Sequence, residues 1–137
     1  MNARPAEPTV TVIYRAMRAD PNGLPDLGRT SSYLGVRADY DIFPDDEGLV
    51  YPNTEGMSVT PDDWRRMRQD RIPAELGGTG KHPLFALDTD NLGPLLRVRR
   101  DPTNPVRHAF VEPAHPMTFL SYLQAIHATA AFWQRVT

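Results

Sequence analysis

The chain predicts a loop-rich α+β fold in a single domain, and three observations carry that expectation. Short β-branched and aromatic stretches with two-residue alternation recur between clusters of turn residues. One C-terminal stretch instead spaces its apolar residues at steps of three and four. Fourteen prolines in 137 residues are about twice the usual ~5% share. Each fixes φ and removes a donor, so regular elements must be short and the loops stiff. A chain of this length removes about two thirds of its unfolded surface from water and needs only one core.

The N-terminal "MNARPAEP", residues 1–8, shows no periodicity and is read as a tail, leaving 9–137 as the domain. "TVTVIYRAM", residues 9–17, is read as a strand, with Val10, Val12 and Tyr14 on one face and Thr11, Ile13 and Arg15 on the other. "ADPNGLPDLGRTSSYLG" is dense in turn residues and is assigned to loop. "IFPDDEGLVYP" is strand-like but broken by Pro44 and its acidic run. In "TPDDWRRM", Thr60 suits a helix cap, Pro61 the first helical position and Asp63 the positive dipole end, which predicts a short helix stopping before Ile72-Pro73. "LGGTGKHP" lacks the spacing of a phosphate-cradling loop and is read as a flexible connection.

"PLFALD" and "LLRVRRD" follow as strands, and "DPTNP" turns the second back into "VRHAFVEP", where His108, Phe110 and Glu112 share a face. In "TFLSYLQAIHATAAFWQRV" the stripe Phe119, Leu123, Ile126, Ala130 and Trp133 predicts a long amphipathic helix capped by Thr118. Trp64 and Trp133 are read as packing residues.

Composition narrows the function classes. With 40% hydrophobic and 23% charged residues and a net charge of -2, the chain lacks the basic excess of a nucleic-acid binder. No run approaches the roughly 18 apolar residues of a membrane span, and no signal peptide is recognisable at the start. The absence of cysteine removes thiolate and zinc-cluster chemistry and fits a cytoplasmic site of action. His82, His108, His115 and His127 show no metal-ligand spacing, so no metal is expected.

Read singly, the polar candidates stay ambiguous. Arg15 at a strand end can clamp a phosphate or sit at the solvent edge of a sheet. Ser58 in "GMSV" can face a ligand or bond its own backbone. Glu112, ahead of Pro113, can aim a carboxylate from the strand end or act as an edge charge that blunts pairing. A Ser-His-Glu hydrolase is disfavoured because no Gly-x-Ser-x-Gly elbow is present.

In order, "VIYRA", "GLVYPNTEGMSV" and "HAFVEPAHPM" followed by a terminal helix resemble the NAD-dependent cytotoxic effectors of bacterial type VI secretion, which have an ADP-ribosyltransferase-like fold. The resemblance runs from about Thr9 to the C-terminus. It rests on the Tyr14-Arg15 strand end, a "DxGLxxPxTxGxSV"-like turn, and an "H-x4-P-A-x-P-M" stretch beginning at His108.

The resemblance implies two small, mostly antiparallel sheets forming a cleft for NAD as substrate, with a long C-terminal helix packed on them. Arg15 matches the basic residue that fixes the dinucleotide, and Ser58 the hydroxyl on the nicotinamide-ribose side. Glu112 stands near the third motif position, a glutamate in ADP-ribosyltransferases generally, whose carboxylate would stabilise an oxocarbenium-like ribose, an effect on the order of 3 kcal/mol. Tyr14 and Tyr51 are candidate stacking surfaces, and His108 a candidate to bind the dinucleotide or to hold the active strand. A cognate immunity protein, export by a dedicated secretion system and a cytoplasmic target complete the expectation. Two rivals stand beside it: a non-catalytic protein-binding module on the same scaffold, and an RNA 2'-phosphate transferase using Arg97, Arg99 and Arg100 as a basic patch.

Overall fold

In the computed structural model, which describes residues 9–137, the alternating stretch after Thr9 forms the central strand β1 (Val12–Ala16). The expected tail at 1–8 lies outside the described residues. Further strands are β2 (Leu49–Val50), β3 (Met57–Pro61), β4 (Leu84–Asp88), β5 (Leu96–Arg100), β6 (Ala109–Pro113) and β7 (Met117–Thr118). Helix α1 (Phe119–His127) and a last short strand, β8 (Gln134–Arg135), complete the chain. The class is α+β, as the sequence predicts.

The two small sheets expected are instead one six-stranded sheet, ordered β5-β6-β3-β1-β4-β8, and a separate β2-β7 ribbon, all antiparallel. The physical reason lies in β6, which pairs along both edges, from Met57↔Val111 to Val59↔Ala109 with β3 and from Leu96↔Pro113 to Arg100↔Ala109 with β5. Central β1 is joined unevenly. It pairs with β4 from Val12↔Asp88 to Ala16↔Leu84, but with β3 only at Ile13↔Pro61 and Tyr14↔Thr60. Beyond Tyr14 the two strands part.

One face of the sheet carries the core. Ile13, Met57, Val59, Ala109 and Val111 are buried against Tyr122, Leu123 and Ile126 of α1. The Tyr122 hydroxyl, buried to the point that its ionisation is pushed up, accepts from the Met57 amide at 3.0 Å and donates to the Val111 carbonyl. It fastens the helix to β3 and β6 at once.

Two helical expectations are corrected. The predicted long helix stops at His127, after the expected Thr118 cap, which accepts from the Ser121 amide. Thr129 turns its hydroxyl onto the Ile126 carbonyl at 2.7 Å and accepts from Trp133 Nε1 at 2.9 Å. That local bonding competes with continued helix, and the chain leaves through a 3₁₀ turn at Ala130–Phe132 to pair β8 with β4. The predicted helix at Thr60 begins later and is a single 3₁₀ turn, Trp64–Arg66, capped by Asp63; Thr60 and Pro61 belong to β3. Asp62, at φ 69°, breaks the strand from the turn.

Gly56 lies where β3 starts, and a Cβ there would meet the Val111 carbonyl and come within 2.8 Å of the Tyr122 hydroxyl. Gly56→Ala should therefore destabilise the fold by about 1–3 kcal/mol through overpacking, read as a lowered urea midpoint with unchanged m-value.

Candidate functional site

The parting of β1 and β3 opens a cavity of about 550 Å³. Tyr14, Arg15 and Ala16 line it from β1, and Met57, Ser58, Val59 and Thr60 from β3. Ser31, Gly35 and Asp41 supply further lining from the segment after β1. Arg66, Met67, Arg68 and Arg71 come from the turn after β3, and Asn104, Arg107 and His108 from the β5-β6 connection.

Arg15 is the central group. Only 6% exposed, it donates from Nε and Nη2 to the Tyr33 carbonyl at 3.2 and 3.0 Å and from Nη1 to the Ser58 carbonyl at 2.7 Å. The last bond spans the gap where the β1-β3 ladder stops. One N–H on each Nη remains, since a guanidinium has five donors. Burial, followed by the like charge of Arg71, pushes the Arg15 pKa down to about 10, so it stays charged at neutral pH.

Among the described residues, Arg15, Arg71 and Arg107 form no ion pair. Arg68 pairs with Asp70 at 2.9 Å, and Arg66 approaches Asp62 at 4.0 Å. The one carboxylate in the lining, Asp41, accepts from the Arg37 amide and Arg37 Nε. Positive charge therefore dominates the cavity.

His108 enters from the end of a tightly bonded connection. Its amide and that of Arg107 donate to the Asn104 carbonyl, and the Asp101 amide donates to the His108 carbonyl. Its Nδ1 lies 2.7 Å from Asp101 Oδ2, and its ring meets Phe110 edge-on at 4.7 Å. The bond to His108, aided by the Thr103 amide, pulls the Asp101 pKa down to about 2.

The chain matches no protein family model and no curated protein.

Of the residues singled out in the sequence, Arg15, Ser58, Tyr14 and His108 share this cavity. Ser58 is exposed, and its hydroxyl has no hydrogen-bond partner among the described residues. Glu112 and Tyr51 are not in the lining. Glu112 is 0% exposed; its Oε2 accepts from Arg97 Nε at 2.6 Å, and its Oε1 from Arg99 Nε at 2.8 Å and the Asn53 amide at 3.0 Å. Arg97 and Arg99 also hold the Asn53 side chain and the Thr54 carbonyl. The turn between Gly48 and Gly56 is thus tied to this ion network: Asn53 takes φ 63° and Gly48 φ 78° to close it, and Tyr51 bonds Asp45.

Sequence reading missed the arginines after β3 and the role of Asp101. The signal for the first was present, since "WRRMRQDR" carries four arginines in seven residues from Arg65 to Arg71. Asp101 offered no such signal, because an aspartate opening a turn ordinarily bonds its own backbone.

Two outcomes follow. Glu112→Ala would leave Arg97 and Arg99 confronting each other over an unsatisfied Asn53 amide and should cost about 3 kcal/mol, whereas Ser58→Ala should stay within about 0.5 kcal/mol; urea titration distinguishes them. For Asp101 the folded-state value lies below its ordinary 3.8, so its contribution is complete above that value and is lost as pH falls toward 2. Comparing urea midpoints at pH 6 and pH 3 should show a smaller acid loss for Asp101→Asn than for the parent protein.

Proposed function

We propose that the cavity between β1 and β3 binds NAD, and that the domain is an ADP-ribosyltransferase-like toxin that transfers ADP-ribose to a cytoplasmic target or hydrolyses NAD. The observation that carries this reading is the buried, charged Arg15, with no ion pair among the described residues, beside Arg71 in the same cavity. Burying an unpaired guanidinium is costly. An anion at the free Nη protons would relieve both that cost and the repulsion from Arg71. A diphosphate suits the set because guanidinium groups bind phosphate oxygens bidentately.

In this reading Arg15, Arg71 and Arg107 receive the diphosphate, Tyr14 offers an aromatic face and the unengaged Ser58 hydroxyl meets a ribose. The volume falls within the roughly 300–1,000 Å³ of small-molecule sites. Glu112, with both oxygens committed, acts by holding the 51–55 turn and the β5-β6 pair in place. An activity of this kind endangers its producer, so an immunity protein that blocks the cavity belongs to the proposal.

That same engagement of Glu112 favours a second reading, in which the cavity binds a nucleotide without turning it over and the domain works as a protein-binding module. Calorimetry and a nicotinamide-release assay separate the two. The leading reading expects binding heat, thermal stabilisation by excess NAD and nicotinamide release. An Arg71→Ala, Arg107→Ala double variant should bind at least about tenfold more weakly with a shallower salt dependence. Binding without release supports the second reading; neither heat nor stabilisation removes NAD altogether.

A further inference from the structure

We propose that Asp101 and His108 are the proton-accepting pair of this cavity, with His108 the catalytic base for an oxygen nucleophile and Asp101 the residue that positions it. The proposal rests on the reading of the cavity as an NAD site and narrows the acceptor to water or a hydroxyl group.

The geometry assigns the tautomer. Asp101 is ionised near neutrality, and an ionised carboxylate only accepts hydrogen bonds. The 2.7 Å contact to His108 Nδ1 therefore places a proton on Nδ1 and leaves the lone pair of the neutral ring on Nε2. Nε2 has no hydrogen-bond partner among the described residues, and His108 lines the cavity. Asp101 itself is behind the lining, fixed through Oδ1 by the Thr103 amide at 2.9 Å and the Thr103 hydroxyl at 2.8 Å. The edge-on contact with Phe110 limits the ring plane. His108 directly precedes Ala109, the last β6 residue paired with β3, at Val59. His108 thus stands at the cavity end of β6, at a fixed tilt and in a fixed tautomer. A histidine held only for packing would have no need of a half-buried ring with an unbonded Nε2 at an arginine-lined cavity.

The step balances without any further reagent. The ribose C1′–N bond of NAD breaks and its electron pair returns to the ring nitrogen, neutralising the pyridinium as nicotinamide departs. A lone pair of the acceptor oxygen forms the new C1′–O bond. The proton from that oxygen passes to His108 Nε2, Asp101 stabilises the resulting imidazolium, and the proton is then released to solvent. General-base assistance of this kind is worth roughly 10²–10⁴ in rate.

The test uses the full chain with NAD, measuring binding by calorimetry and nicotinamide release by turnover. His108→Ala should bind NAD within about threefold of the parent protein but release nicotinamide at least about a hundredfold more slowly, and added imidazole should restore release in proportion to its concentration. Asp101→Asn should lower kcat with KM little changed, because the ring loses its tautomer lock rather than the ligand its contacts. Nicotinamide release by His108→Ala within about threefold of the parent overturns the proposal, as does a loss that imidazole does not restore. A parent protein that binds NAD but never releases nicotinamide also overturns the pair while leaving the binding reading intact. A parent protein that does not bind NAD overturns that reading itself.

Discussion

One guanidinium holds this fold open. Where β1 and β3 cease to pair, the main-chain groups of a sheet interior would ordinarily be left without partners, a cost comparable to a lost hydrogen bond for each. Arg15 occupies the gap and bonds the Ser58 carbonyl on one side and the Tyr33 carbonyl on the other. It joins β1, β3 and the loop after β1 with a single side chain. A lysine could not do so, having one compact ammonium in place of a planar fork. The cavity exists because a charged side chain, and not a neighbouring strand, completes the hydrogen bonding of the split.

The sheet separates its tasks by face and by end. The face holding Met57, Val59, Ala109 and Val111 packs on α1, where Tyr122 ties helix and strands together. Phe110 and Glu112 of β6 alternate onto the other face, and His108 directly precedes the strand, but the surroundings of the three diverge over a few residues. His108 stands in the open cavity, Phe110 carries the Arg99 guanidinium at 4.9 Å, and Glu112 is sealed beneath Arg97 and Arg99. Three chemical environments within five residues follow from what lies over each end: the cavity at His108, and the 51–55 turn at Glu112.

Much of the framework was legible because it is written locally. Alternation in β1, the short apolar run of β4, the Thr118 cap and the shared face of His108, Phe110 and Glu112 all express patterns that a few neighbouring residues impose. What was not legible depends on distant partners. The helix end at His127 is set by Thr129 bonding Ile126 and by β4 recruiting Gln134 and Arg135, neither of which periodicity reports. The burial of Glu112 depends on Asn53, 59 residues away in the chain. For the candidate site, residue type left Arg15 and Ser58 ambiguous, and His108 was singled out only through the resemblance; the cavity lining brings the three together. Asp101 emerged only once the β5-β6 hairpin closed and brought it to the ring of His108.

The electrostatics of the cavity bear on any chemistry carried out there. Guanidinium groups that hold a diphosphate bind it almost equally in the ground state and the transition state. Such uniform binding tightens the complex without raising kcat. Acceleration must come from a group whose interaction changes as bonds change. The lining arginines keep their charge throughout, Asp41 is committed to Arg37, and Glu112 is enclosed elsewhere. Among the lining side chains, histidine is the type that accepts and releases a proton in the physiological range. On the NAD reading, the division of labour is therefore dictated by charge: arginines retain the phosphates, and whatever distinguishes a catalyst from a binding module here must pass through the ring of His108 and the carboxylate behind it.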